Sequence, residues 1–232
     1  MTLTIAYVAG AAPDKWARRW RQREAEPLEL VAVSDDEQLA VLGDGRAEMS
    51  VARLPVDRER HHVIQLYVEV PVVVVPKEHP VAAYDEVRLA DLAGEQLIQD
   101  PETVPGWADL DTPKRLNWPA MSAKEAIEVV ASGTGIVIVP MSVARLHHRK
   151  DVVHRPVIDG PESQVALVWL RENDDPRLQT FVGIVRGRSA RSSRDAEPAP
   201  KKAKPTAKKA APKTPRPTQS KRVPARGRRR AR

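Results

Sequence analysis

The chain has 232 residues with 38 Lys and Arg, 31 Asp and Glu and no cysteine, which excludes disulfides and thiolate metal sites and fits a reducing compartment. The charge is divided: residues 187–232 carry 17 bases against two acids, a net of +15, whereas the first 186 residues carry 21 bases and 29 acids, a net of −8. No segment reaches the ~20 apolar residues that a bilayer-spanning helix needs, and the N-terminus lacks the basic start of a secretory signal, so a cytoplasmic protein is expected.

Alternation predicts a first strand over Thr2–Ala9, closed by Gly10. Pro13-Asp14 opens a helix that places Trp16 and Trp20 on its inner face and stops before Pro27. Leu28–Val33 is a second strand. Ser34 and Glu37 have the spacing of a capping box, predicting a short helix up to Gly43, and Ala47–Ala52 is a third strand. The apolar run Val63–Val75 is too long for one strand and is broken by Pro71, so it is expected to pass between two sheets. Leu89–Gly94 reads as a helical turn and Gln96–Gln99 as a strand, while residues 100–121, rich in proline, are left without an assignment. Ser122 and Glu125 form a second capping box, whose helix buries Ala123, Ala126, Ile127 and Val130 and ends at Gly133. Ile136–Val139 is a buried strand closed by Pro140, Val165–Leu170 a final strand, and Asp175-Pro176 starts a helix with Leu178, Phe181, Val182 and Val185 on one stripe. Strands alternating with helices argue for α/β sheets.

No catalytic constellation stands out. Gly133-x-Gly135 is a helix stop feeding a strand, the reverse of a dinucleotide turn. His61-His62 and His147-His148 are adjacent pairs whose members do not share a face, so surface positions are expected and no metal site or cofactor. The carboxylates read as helix caps or solvated surface.

Four stretches together resemble the effector-binding domain of LysR-type transcriptional regulators. They are Asp44–Pro55, Val72–Pro80, Val87–Ile98 and Val129–Pro140, in that order. The resemblance covers residues 2–186 and implies a type 2 periplasmic-binding-protein fold: two α/β lobes, two crossings and a ligand cleft between. Lobe I would take about residues 1–70 plus 166–186 and lobe II about 71–165, with Val68–Pro76 as one crossing and Ser163–Ala166 as the return. The cleft would be lined by Gly10, Ala11, Ala12, Arg53, Leu54, Pro55, Asp100, Ser122 and Pro140, with Arg53 either its fixed charge or a member of a surface salt bridge. Family members often offer a hydroxyl after the first strand; here Gly10-Ala11-Ala12 leaves backbone amides at a helix start, which favour an anion. The resemblance also implies a homodimer. Family members begin with a winged helix-turn-helix, whereas the resemblance here begins at Met1, so the usual operator reader is expected to be absent unless it lies upstream.

Residues 187–232 are mostly Lys, Arg, Ala, Pro, Ser and Thr with Val223 as the one branched aliphatic, so a disordered arm is expected. The run Lys201–Lys213 resembles linker-histone and nucleoid-protein tails, and Arg226-Gly227-Arg228 resembles an AT-hook core. DNA is the expected partner, bound mainly without sequence preference through Lys201, Lys202, Lys204, Lys208, Lys209, Lys213, Arg216, Lys221, Arg222, Arg226, Arg228, Arg229 and Arg230. The combined reading is a non-enzymatic, nucleoid-associated regulator that senses a small molecule. The alternative is a stand-alone or vestigial small-molecule-binding protein tethered to nucleoid or RNA without transcriptional output. Each phosphate neutralised lowers the log–log salt slope by about 0.9. Full-length chain and the isolated 187–232 peptide should therefore bind duplex DNA with similar, steep salt slopes in fluorescence anisotropy. A full-length slope much shallower than the peptide's would refute binding through the arm.

Overall fold

The computed structural model describes residues 2–114 and 116–187, so the basic arm and its expected disorder lie outside the described residues. The elements run β1 (Leu3–Val8), α1 (Asp14–Arg23), β2 (Leu28–Val33), α2 (Ala40–Gly43), β3 (Met49–Arg53), β4 (His61–Glu69) and β5 (Pro71–Pro76). Four short 3-10 turns lead to α3 (Ala123–Ala131), β6 (Val137–Pro140), α4 (Met141–Leu146), β7 (Val152–Pro156), β8 (Ser163–Leu170) and α5 (Pro176–Val185). Among the described residues, no helix is long and apolar enough to cross a membrane.

These elements build two sheets. The first has the order β2-β1-β3-β8-β4, with β1 parallel to both neighbours and β8 antiparallel to β3 and β4. The second has the order β6-β5-β7, antiparallel throughout, and is extended by isolated parallel bridges Val87–Val157 and Leu97–Ile136. The long apolar run does divide as Pro71 suggests: β4 ends at Glu69 in the first sheet and β5 starts at Pro71 in the second. The return comes earlier than the sequence implies. Ser163 already pairs with Glu69, so the chain recrosses between Pro156 and Ser163, where Gly160-Pro161 interrupts the strand pattern.

Each sheet is covered on both faces. On the first, α1 and α5 bury Trp20 against Phe181 with ring centroids 6.1 Å apart, over Leu3, Ile5 and Leu167. The Trp20 indole donates to the Glu26 carbonyl at 2.8 Å, which satisfies its one polar atom within the core. On the second, α3 lays Ala126, Ile127 and Val130 over Val72, Val74 and Val137. The opposite face buries Val73, Leu92, Leu97 and Trp107.

Local signals succeed unevenly. Ser122 makes the expected box, accepting from the Glu125 amide at 3.3 Å while Glu125 accepts from the Ser122 amide at 2.7 Å. Ser34 does not cap α2, which starts only at Ala40; its hydroxyl bonds the Glu37 carboxylate inside a turn. The helix α4 and strand β7 escaped the sequence reading because Arg145–Lys150 masks their apolar pattern.

Two glycines generate opposite expectations. At Gly135 an added Cβ would collide with the Gln96 carbonyl, which accepts the Ile136 amide at 2.9 Å. At Gly183, inside α5, an added Cβ meets nothing within 4 Å. Gly135→Ala should cost about 1–3 kcal/mol, and Gly183→Ala should stabilise by roughly 0.4–1 kcal/mol, both read by urea denaturation.

Candidate functional site

Arg53 is the last residue of β3, and the end of its strand sets where its guanidinium can reach. Its Nε donates to Glu69 at 2.8 Å, Nη1 to Asp35 at 2.8 Å and Nη2 to the Ala9 carbonyl at 2.7 Å, while its amide donates to the Gln38 side chain at 2.7 Å. The partners differ in setting: the Glu69 side chain is 3% exposed and that of Asp35 64%. Burial alone would lower the pKa of Arg53, but Glu69 and Asp35 outweigh it and raise it above the ordinary value, fixing the charge.

Glu69 lies at the crossing from the first sheet to the second, and its other oxygen accepts the Ser142 hydroxyl from α4. Ser142 also lies against Gly10, which has φ +83°; an added Cβ there would sit 2.5 Å from the Ser142 hydroxyl oxygen. A backbone bond from the Met141 amide to the Val70 carbonyl, 2.9 Å, runs beside this contact. One buried carboxylate therefore receives donors from both lobes.

The nine residues expected to line one cleft fall into separate groups. Gly10 and Arg53 meet at the Glu69–Ser142 link, and Pro140 precedes α4 two residues before Ser142. Ala11 turns its methyl into the core of the first lobe, and Ala12 is exposed. Leu54 and Pro55, joined by a cis peptide, line a groove of about 340 Å³ with Arg58, Glu162 and Gln164. Asp100 lines a cavity of about 460 Å³ in the second lobe, together with Thr103, Trp118, Met121 and Ala123. Ser122 itself is held by its cap, and its two sequence neighbours reach that cavity.

Glu69 and Ser142 were missed. The signal for Glu69 was present: an acid inside the apolar run Val63–Val75 must be either exposed or paired, and here it is buried and paired. Reading it as solvated surface was wrong, as was the surface position for His61, which is buried with Nδ1 2.8 Å from the Asp57 carbonyl. His62 stacks on Trp169, ring centroids 5.1 Å apart. No cluster of three or more metal-ligating side chains occurs among the described residues.

Two α/β lobes, joined by two crossings and touching through a charged contact, define a type 2 periplasmic-binding-protein-like ligand-binding domain. The chain belongs to the LysR substrate binding domain family, which matches residues 2–190. It is 30% identical over 179 residues to the HTH-type transcriptional regulator CatR of Pseudomonas putida, covering 72% of this chain and 61% of CatR. To the Hca operon transcriptional activator HcaR of Escherichia coli (strain K12) it is 26% identical over 202 residues, covering 81% of this chain and 68% of HcaR. The chain thus spans about two thirds of the length of these curated relatives, which are regulators and not enzymes. In fold it resembles the BenM effector binding domain with its effector benzoate: TM-score 0.67, 20% identity, 80% of this chain and 90% of that one.

Removing Arg53 strands a buried carboxylate. Arg53→Met should destabilise by about 3–5 kcal/mol, whereas Asp35→Asn, at an exposed partner, should cost about 1 kcal/mol or less. Equal losses in urea denaturation would show that Glu69 does not depend on Arg53.

Proposed function

We propose that this domain senses a small molecule, held in the second-lobe cavity beside the start of α3, and reports it by altering the contact between lobes at Glu69. The observation that carries the reading is the shared carboxylate: Glu69 accepts from Arg53 in one lobe and from Ser142 in the other. A ligand that favours a different closure must compete with this link, so occupancy and inter-lobe geometry are thermodynamically coupled. Two relatives are transcriptional regulators, and the similar BenM domain is described with a small effector, which supports regulation of transcription as the output.

Residues 187–232, at +15, are the proposed DNA contact, non-specific because charge reads phosphate and not base sequence. The −8 of the preceding residues supplies no comparable attraction. A homodimer and a nucleoid-associated cytoplasmic location belong to the same proposal.

The sensing claim has a direct test in hydrogen exchange. A compound that raises the thermal midpoint of the full chain should change exchange at Ala11 and at Ser142 together, because these lie on opposite sides of the link. Protection confined to the second lobe would leave a binding protein without the inter-lobe report.

A further inference from the structure

We infer that the second-lobe cavity takes an uncharged, largely apolar molecule. The inference rests on the sensing proposal for the place of the ligand and adds its chemical class.

Two anion-friendly features near the expected cleft, Arg53 and the start of α3, are already satisfied from within. Arg53 faces two carboxylates, Glu69 and Asp35. The N-terminus of α3 is capped by its own Glu125, whose carboxylate accepts from the Ser122 amide and hydroxyl at 2.7 and 2.8 Å. These bonds hold the Glu125 carboxyl below the usual range, so it stays ionised there. An incoming carboxylate would meet a like charge at that helix end.

The cavity points the same way. Among the described residues its lining holds no Lys, Arg or His, and its one ionisable side chain is Asp100. Asp100 is also spoken for in part, accepting the Glu102 amide at 3.0 Å. The remaining lining is dominated by Ile98, Trp118, Met121, Val137 and Val139. An ionised carboxylate placed there would lose its hydration without gaining a cation, and beside Asp100 it would be repelled.

The polar groups that could meet a ligand are also mostly used. Gln99 donates to Thr103 at 3.1 Å and accepts the Ile138 amide at 2.7 Å. The Thr103 hydroxyl donates to the Asp100 carbonyl at 2.6 Å. The Trp118 Nε1 is itself buried and closed to solvent, so a ligand meets no free donor there. A volume of about 460 Å³ accommodates a single-ring molecule, since an apolar cavity of about 150 Å³ already holds benzene.

The test uses the full chain and three probes of one shape: methyl benzoate, benzoate and benzylamine, titrated by calorimetry and followed by intrinsic tryptophan fluorescence. Methyl benzoate should bind at least about tenfold more tightly than benzoate, a difference of 1.4 kcal/mol. Asp100→Asn should narrow the gap between ester and carboxylate. Tighter binding of benzoate or of benzylamine, or no binding of methyl benzoate at millimolar concentration, would each overturn the assignment. Tight methyl benzoate binding without any change in exchange at Ala11 and Ser142 would instead refute inter-lobe sensing and leave the pocket's chemistry standing.

Discussion

A carboxylate at the bottom of the crossing between two lobes sets the terms for the rest of this molecule. Glu69 is almost fully buried, and a lone charge in that position would be strongly disfavoured. It is tolerated because Arg53 and Ser142 converge on it from different lobes. That requirement explains several local choices. The second residue after β1 is glycine, because a side chain at Gly10 would push Ser142 off the carboxylate. Arg53 occupies the last position of β3, where its guanidinium can span Ala9, Asp35 and Glu69 at once. Gln38 fixes the Arg53 backbone from the loop before α2. Buried ion pairs contribute less to stability than to uniqueness of arrangement in some systems, and a link that selects one closure of two lobes is a use of that kind.

Much of the fold was legible because it depends on periodicity. β1, β2, β3 and α5 announce themselves through alternation or a 3.6-residue stripe, and Pro71 marks where one sheet hands over to the other. α4 and β7 did not, since a six-residue α-helix beside Arg145–Lys150 has no clean apolar stripe. Ser34 shows the limit of a short motif: Ser and Glu three apart satisfy the spacing, but Asp35 and Asp36 are drawn into a turn and the helix starts later. The site was harder still. Arg53 and Gly10 could be named from the chain, but their partners come from residues 16 and 132 positions away, and sequence spacing carries no information about such pairs.

The charge pattern also changes meaning once positions are known. The sequence offers an anion the start of α1 after Gly10–Ala12 and a fixed positive charge at Arg53. The start of α1 has no side-chain cap, whereas Glu125 occupies the start of α3 and Glu69 with Asp35 over-neutralises Arg53. Self-satisfaction of these groups is compatible with family membership, because a shared fold constrains where a ligand sits far more than what it is. Among the described residues, the buried side-chain atoms without a hydrogen-bond partner are Ser50 Oγ and Trp118 Nε1.

The central claim is that the Glu69 carboxylate holds the lobes in one arrangement, and a distance across them tests it most directly. The chain has no cysteine, so spin labels at Arg18→Cys in α1 and Glu128→Cys in α3 would report one lobe-to-lobe distance without background labelling. The labelled protein should give one narrow distribution, broadened or shifted by Ser142→Ala and by Glu69→Ala but not by Asp35→Asn. Superimposable distributions for all four proteins would contradict the account, because the lobes would then be held by something other than the shared carboxylate.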